Sequence, residues 1–235
     1  KLPHQYLPEL EEWFAQELEA FQPDVIHSWG VEYAHSLAMA NAAEKTGYLD
    51  RMAVSIQGLC CYIAGHYCEG IPYAVQHSAT FRDFLRKDNI AQQQKKFILR
   101  GELEQQTLRK VSHIIGRTHW DKACTAIIHP EAKYHVCNET LRDPFYQGTW
   151  QYDSCRKYRI FAPSCSYPVK GFHHLLTAFA DVAKTYPEAV IAVPGKSYLK
   201  AGFLRRNSYQ KYLAKLTRQY GLEGKIEFLG SLDAE

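Results

Sequence analysis

A chain of 235 residues, 46% hydrophobic and 23% charged, has the composition of an ordinary globular protein with room for one large domain or two small ones. A formal net charge of +3 is too mild to imply nucleic acid, and no run of about eighteen apolar residues offers a membrane-spanning helix. The seven cysteines are odd in number and include no zinc-type C-x-x-C pair, which argues against a disulfide framework or a structural metal and fits a reduced, cytoplasmic setting.

The opening KLPHQYLPELEEWF lacks the basic start and long apolar stretch of a secretory signal. It also lacks an initiator Met, and the closing SLDAE stops in mid-pattern, so a fragment of a longer chain is expected. Residues 24–29 predict a short strand, 34–46 a helix with a small apolar face, and 52–56 a buried strand ending in Gln57-Gly58. Helices are predicted over 77–87 and 91–111, a strand at 113–116, a helix over about 120–128 with Thr118 as N-cap, and a strand at 133–137. The stretch 138–157 mixes Pro, Gly, Asn and Asp without a period and marks a domain junction. A second alternation follows: strand 158–162, helix 171–185, strand 189–193, helix 208–220 with Gly221 closing it, and strand 225–229. Such alternation predicts parallel sheets covered by helices.

Ligands of open parallel sheets sit beyond the carboxyl ends of the strands. That rule selects the loop Ser164–Gly171, where Gly171 admits close backbone approach and Lys170 adds charge to a helix start, a combination suited to a diphosphate. The same string also fits a plain connecting loop, and it is not a Walker-type phosphate loop. Lys196, after Pro194-Gly195, is either a second phosphate contact or a turn lysine. In the first half the rule selects Trp29, Gly30 and Glu32, then Gln57 and Gly58 with His66 downstream, then Arg117. An aromatic face and polar groups there would suit a sugar, although each residue alone has an ordinary structural role. No nucleophile elbow, metal-ligand spacing or dense basic stripe is present.

The string YRIFAPSCSYPVKGFHHLLTAFADVAKTYPEAVIAVPG at 158–195 resembles the start of the donor-binding domain of family 4 glycosyltransferases. The segments 23–40, 111–123 and 130–146, with Asn138 and Phe145 at the hinge, resemble a bacterial polysaccharide-synthesis branch of that family. The resemblance implies the GT-B architecture: two Rossmann-like domains, each a parallel sheet flanked by helices, the second incomplete. The acceptor-side domain would cover 1–153, its first strand missing, and the nucleotide-sugar domain 154–235. It implies retaining, metal-independent transfer of a sugar from a nucleotide-diphosphate sugar, a co-substrate rather than a cofactor, to a glycan or lipid-linked acceptor. Lys170 and Gly171 would hold the diphosphate, Gly195, Lys196, Gly230 and Ser231 would border the nucleotide, and Trp29, Gly30, Glu32, Gln57, Gly58, His66 and Arg117 would face the acceptor cleft. The family's usual Arg is Cys165 here, its usual His is Gln57, and its Glu-x7-Glu element would follow residue 235, so weak or absent activity is expected of these residues alone. The alternative is a non-catalytic nucleotide- or sugar-binding module of the same fold. A cytoplasmic place is expected, with peripheral association at the inner membrane face as a further expectation.

Overall fold

A computed structural model describes residues 3–200, 202 and 204–232. In chain order the elements are α1 (Pro8–Phe21), β1 (Ile26–Trp29), α2 (Ala34–Thr46), β2 (Met52–Ser55), α3 (Cys60–His66), α4 (Tyr73–Gln76), α5 (Phe81–Arg86) and α6 (Ile90–Lys110). Then come β3 (His113–Gly116), α7 (His119–Ile128), β4 (Lys133–Val136), α8 (Pro144–Gln147), β5 (Arg159–Phe161), α9 (Phe172–Thr185), β6 (Val190–Val193), α10 (Ser208–Gln219) and β7 (Ile226–Phe228). The chain forms two compact units, Lys1–His66 with Gln94–Thr140, and Tyr67–Gln93 with Leu141–Glu235.

The first unit carries a four-stranded parallel sheet in the order β1-β2-β3-β4. Right-handed crossovers between sequential neighbours carry α2, α6 and α7 to one face. The burial agrees: Ile26, Met52, Val54 and Ile114 are buried in one cluster with Ala40 and Ala43 of α2, Leu108 of α6 and Cys124 of α7. The residues between them point the other way, and there His27, Trp29, Lys133 and His135 are exposed. Parallel sheets are normally covered on both faces; among the described residues this one is packed on one.

Two local devices set the helices of this unit. Thr118 caps α7 and accepts from Asp121 N while Asp121 answers to the Thr118 N–H, a capping box that Tyr134 of β4 reinforces by donating to Asp121 at 2.7 Å. The start of α3 has no such local partner. The buried Glu104 of α6 accepts from the backbone N–H of Cys60 at 3.1 Å and of Cys61 at 2.9 Å. Burial raises the Glu104 carboxyl and, with the nearby carboxylate, pushes both thiols up to about 12, so Cys60 and Cys61 stay neutral.

The second unit carries a three-stranded parallel sheet, β5-β6-β7. Helix α9 buries Phe172, Leu176 and Phe179, the apolar face expected from its period, and α10 buries Tyr209, Leu213 and Leu216. Residues 67–93, which precede β3 in sequence, fold with this sheet. Asp83, the third residue of α5, accepts from Thr80 N at 3.2 Å and from Ser208 N at 2.7 Å, so one carboxylate serves the starts of α5 and α10. His173 donates from Nε2 to the Glu69 carbonyl at 2.9 Å. A carbonyl can only accept, so the neutral ring is the Nε2–H tautomer and its Nδ1 accepts from the Tyr209 hydroxyl at 3.0 Å.

Burial lowers the His173 pKa, the neighbouring His174 adds to the effect, and the Glu69 carbonyl opposes it. Above about pH 6.5 the imidazole is neutral in folded and unfolded chains alike. As pH falls through that value the unfolded chain takes up a proton first, so stability declines with acidification until the folded pKa is passed. Thermal melts at pH 7.5 and pH 5 should differ more for the wild type than for His173→Gln; equal differences would show that His173 is not a source of the acid sensitivity.

The predicted strands and most helices are present, with ends shifted by a residue or two. The helix expected over 77–87 is α5 alone, which starts only at Phe81 because Thr80 and Asp83 form its capping box, and the one-turn α4 precedes the expected range. Helices α1, α3, α4 and α8 were not expected.

Candidate functional site

The carboxyl edge of β5-β6-β7 gathers the features proposed for a diphosphate. After β5 the chain runs through Pro163–Lys170, makes one 3-10 turn over Pro168–Lys170, and enters α9 through Gly171 at φ 67°. That left-handed conformation favours glycine. Gly171 offers no side chain, so the N-terminus of α9 is left without a side-chain cap and presents its N–H groups and partial positive charge. Beside it lies a cavity of about 400 Å³ walled by Phe161, Ala162, Ser164, Lys170, Phe172 and Leu175. Lys170 is exposed, with Nζ 5.6 Å from the centre of the Tyr167 ring. Cys165 adds no charge, since burial pushes its thiol up to about 11.

The next two strands end in the same way. Gly195 follows β6 at φ 94° and Gly230 follows β7 at φ 74°. Gly195 N donates to the Gly230 carbonyl at 2.6 Å, tying the two loops together. A Cβ at either glycine would meet nothing within 4 Å, so the backbone conformation, not crowding, calls for glycine, and the space beside both is open. Lys196 and Ser231 are exposed beyond them. Tyr198 fixes the loop after β6: it is buried against Phe172 and Phe228, and its hydroxyl meets Thr217 Oγ1 at 3.0 Å. Lys170, Gly171, Gly195, Lys196, Gly230 and Ser231 therefore share one sheet edge, and Lys170 alone of them walls the cavity.

In the first unit a smaller cavity, about 150 Å³, opens on the uncovered face at the carboxyl ends of β1, β2 and β3. Trp29 and Arg117 both line it. Trp29 is 63% exposed and packs edge-on against His27, whose Nε2 is 2.7 Å from Ser55 Oγ. Arg117 pairs with Glu139 at 2.8 Å and donates to the Gln57 carbonyl at 3.4 Å. The other residues expected at this cleft stand apart from the cavity lining. Gly30, at φ 99°, takes a bond from Ser36 Oγ at 2.8 Å, and a Cβ there would lie 2.7 Å from Glu32 Oε2. Glu32 is turned to the Gly30 backbone, and Oε2 is buried without a hydrogen-bond partner. Gly58 packs near Ile63, the Gln57 side chain is exposed, and His66 is exposed at the end of α3. Sequence reasoning passed over Ser55 and Glu139. Strand alternation could have found Ser55, which shares a face with Trp29 through the β1–β2 register.

Among the described residues, no group of three or more His, Cys, Asp or Glu is placed to hold a metal ion, and no helix is long and apolar enough to cross a membrane. No known family model matches the chain, and no curated protein matches it. The geometry itself defines the class: an α/β protein with two separate parallel sheets, each flanked by helices, in a generic Rossmann-like arrangement.

Proposed function

We propose that the protein is a retaining glycosyltransferase of GT-B type, moving a sugar from a nucleoside-diphosphate sugar to a glycan or lipid-linked acceptor in surface polysaccharide synthesis. The observation that carries the reading is the cavity between the end of β5 and the start of α9, with Lys170 in its wall. The donor diphosphate lies against Lys170 and the α9 N-terminus, and Gly195, Lys196, Gly230 and Ser231 border the nucleotide. Trp29 and Arg117 face the acceptor. As the bond between the anomeric carbon and the phosphate oxygen breaks, negative charge grows on the departing diphosphate, and fixed positive groups stabilise that charge more than the ground state. The acceptor oxygen bonds the same face of the anomeric carbon, and its proton passes to the departing phosphate oxygen. Gln57 cannot serve as a base, and this route needs none. A divalent ion is not required for charge neutralisation in this scheme.

A second reading, a non-catalytic nucleotide- or sugar-binding module, is favoured by the neutral Cys165 thiol and by Gln57. Calorimetry with a panel of nucleoside diphosphates and their sugars tests both. One nucleotide should bind, EDTA should leave its affinity unchanged, and Lys170→Ala should weaken it roughly tenfold, about 1.4 kcal/mol. Equal affinity of Lys170→Ala would remove the proposed site. Binding of a sugar nucleotide without sugar transfer to any acceptor would favour the module.

A further inference from the structure

The smaller cavity of the first unit has a lining whose charges cancel. Among the described residues that line it, Arg117 and Glu139 are the two with permanent charges, and Arg117 Nη1 lies 2.8 Å from Glu139 Oε2. The same guanidinium donates to the Gln57 carbonyl at 3.4 Å, so its fork is turned to the protein. Ser55, Asn138 and Thr140 add uncharged groups that both donate and accept hydrogen bonds, as sugar hydroxyls do. Trp29 supplies an exposed apolar wall. His27 braces it, with ring centres 5.0 Å apart, and His27 Nε2 in turn meets Ser55 Oγ at 2.7 Å. A braced indole offers a broad flat surface at little cost in side-chain entropy. A pyranose has a face of C–H groups that packs on such a surface, and a rim of hydroxyls that reaches the polar groups around it. After its bond to His27, the Ser55 oxygen still has capacity for a ligand hydroxyl.

The volume limits the ligand to a single ring, since about 150 Å³ falls below the ~300–1,000 Å³ of pockets for drug-sized ligands. A uronate carboxylate or a sugar phosphate would meet Glu139 as a like charge, while the guanidinium able to offset it is already paired. We propose, on the reading that this cavity faces the acceptor, that it selects one neutral pyranose as the acceptor's terminal ring. Glu139 excludes anionic sugars by keeping Arg117 neutralised. Trp29 sets the plane of the ring, and Ser55, Asn138 and Thr140 take its hydroxyls.

Titration of the nitrogen-15-labelled protein with the methyl glycosides of glucose, galactose and mannose, and with their three uronides, tests it. The signals followed are the Trp29 indole N–H and the Ser55 and Arg117 amides. At least one neutral glycoside should give a saturable shift, and its uronide should bind at least about threefold more weakly. Glu139→Gln should bring the two affinities together or reverse their order, while leaving the neutral glycoside within about twofold of the wild type. Trp29→Ala should weaken the neutral glycoside roughly tenfold, and Trp29→Phe should lose less. Trp29 and Glu139 are exposed, so circular dichroism and melting temperature should match the wild type and exclude misfolding as the cause. The proposal is overturned if no neutral glycoside moves these signals, if a uronide binds the wild type as tightly as its neutral partner, or if Glu139→Gln leaves the preference unchanged. Nucleotide binding at the start of α9 with no glycoside response here would strike this inference and leave the transferase reading standing. Glycoside binding with no nucleotide binding would do the reverse.

Discussion

Replacing Gly101 with alanine is expected to destabilise the first unit by about 3 kcal/mol, read as a lower urea midpoint at unchanged m-value. In an exposed helix the same change would stabilise by roughly 1 kcal/mol, because glycine is a poor helix former. The sign reverses here because of what faces α6. A Cβ at Gly101 would lie 2.6 Å from Cys61 Cα, 2.7 Å from Cys61 N and 3.1 Å from the Cys60 carbonyl carbon. These are backbone atoms and cannot swing aside. Relief requires α3 to move away from α6, which would stretch the two bonds that Glu104 makes to the start of α3. The buried carboxylate and two N–H groups would then lack full partners, adding to the overpacking cost. A variant as stable as the wild type would mean that α3 is not packed on α6 in this way.

Asp83→Ala is expected to cost the second unit about 3 kcal/mol, by removing one buried acceptor from two helix starts at once. Thr80 N loses its reciprocal capping partner, Ser208 N at the start of α10 is left buried without one, and Arg82 loses a carboxylate at 3.3 Å. Asp83→Asn keeps one acceptor oxygen and should lose about 1 kcal/mol. Urea unfolding of the two variants gives the comparison, and equal, small losses would show that Asp83 does not tie residues 67–93 to α10.

Local signals in the sequence were sufficient for most of the fold. The β-branched runs at 113–116 and 190–193, the period of 172–185 and the Thr118 cap all act within a few residues, and the elements formed where those signals lie. Helix α1 was legible but unread: Pro8 at its start, Glu9 and Glu11 in the first turn, and Ala15 and Leu18 buried form an ordinary amphipathic pattern. Helix α3 was not legible, because its cap is Glu104, forty-four positions along the chain. The docking of residues 67–93 on α10 was equally hidden, since it depends on Asp83 meeting Ser208 across 125 positions. For the candidate sites, the strand-end rule pointed to Gly171 and Gly195, and the family resemblance added Gly230. The rule could not tell that Trp29 and Arg117 would share a cavity while Glu32 turned to the Gly30 backbone, because side-chain direction there depends on the register of neighbouring strands.

The central claim is that the carboxyl edge of β5-β6-β7 holds a diphosphate. The most direct test is a titration of the nitrogen-15-labelled protein with uridine, guanosine, adenosine and thymidine diphosphates, following assigned backbone amide shifts. At least one nucleotide should move Gly171, Phe172, Gly195 and Gly230 together, with saturation at a common affinity that Lys170→Ala weakens. Shifts that cluster elsewhere, or no saturable shift with any of the four, would contradict it.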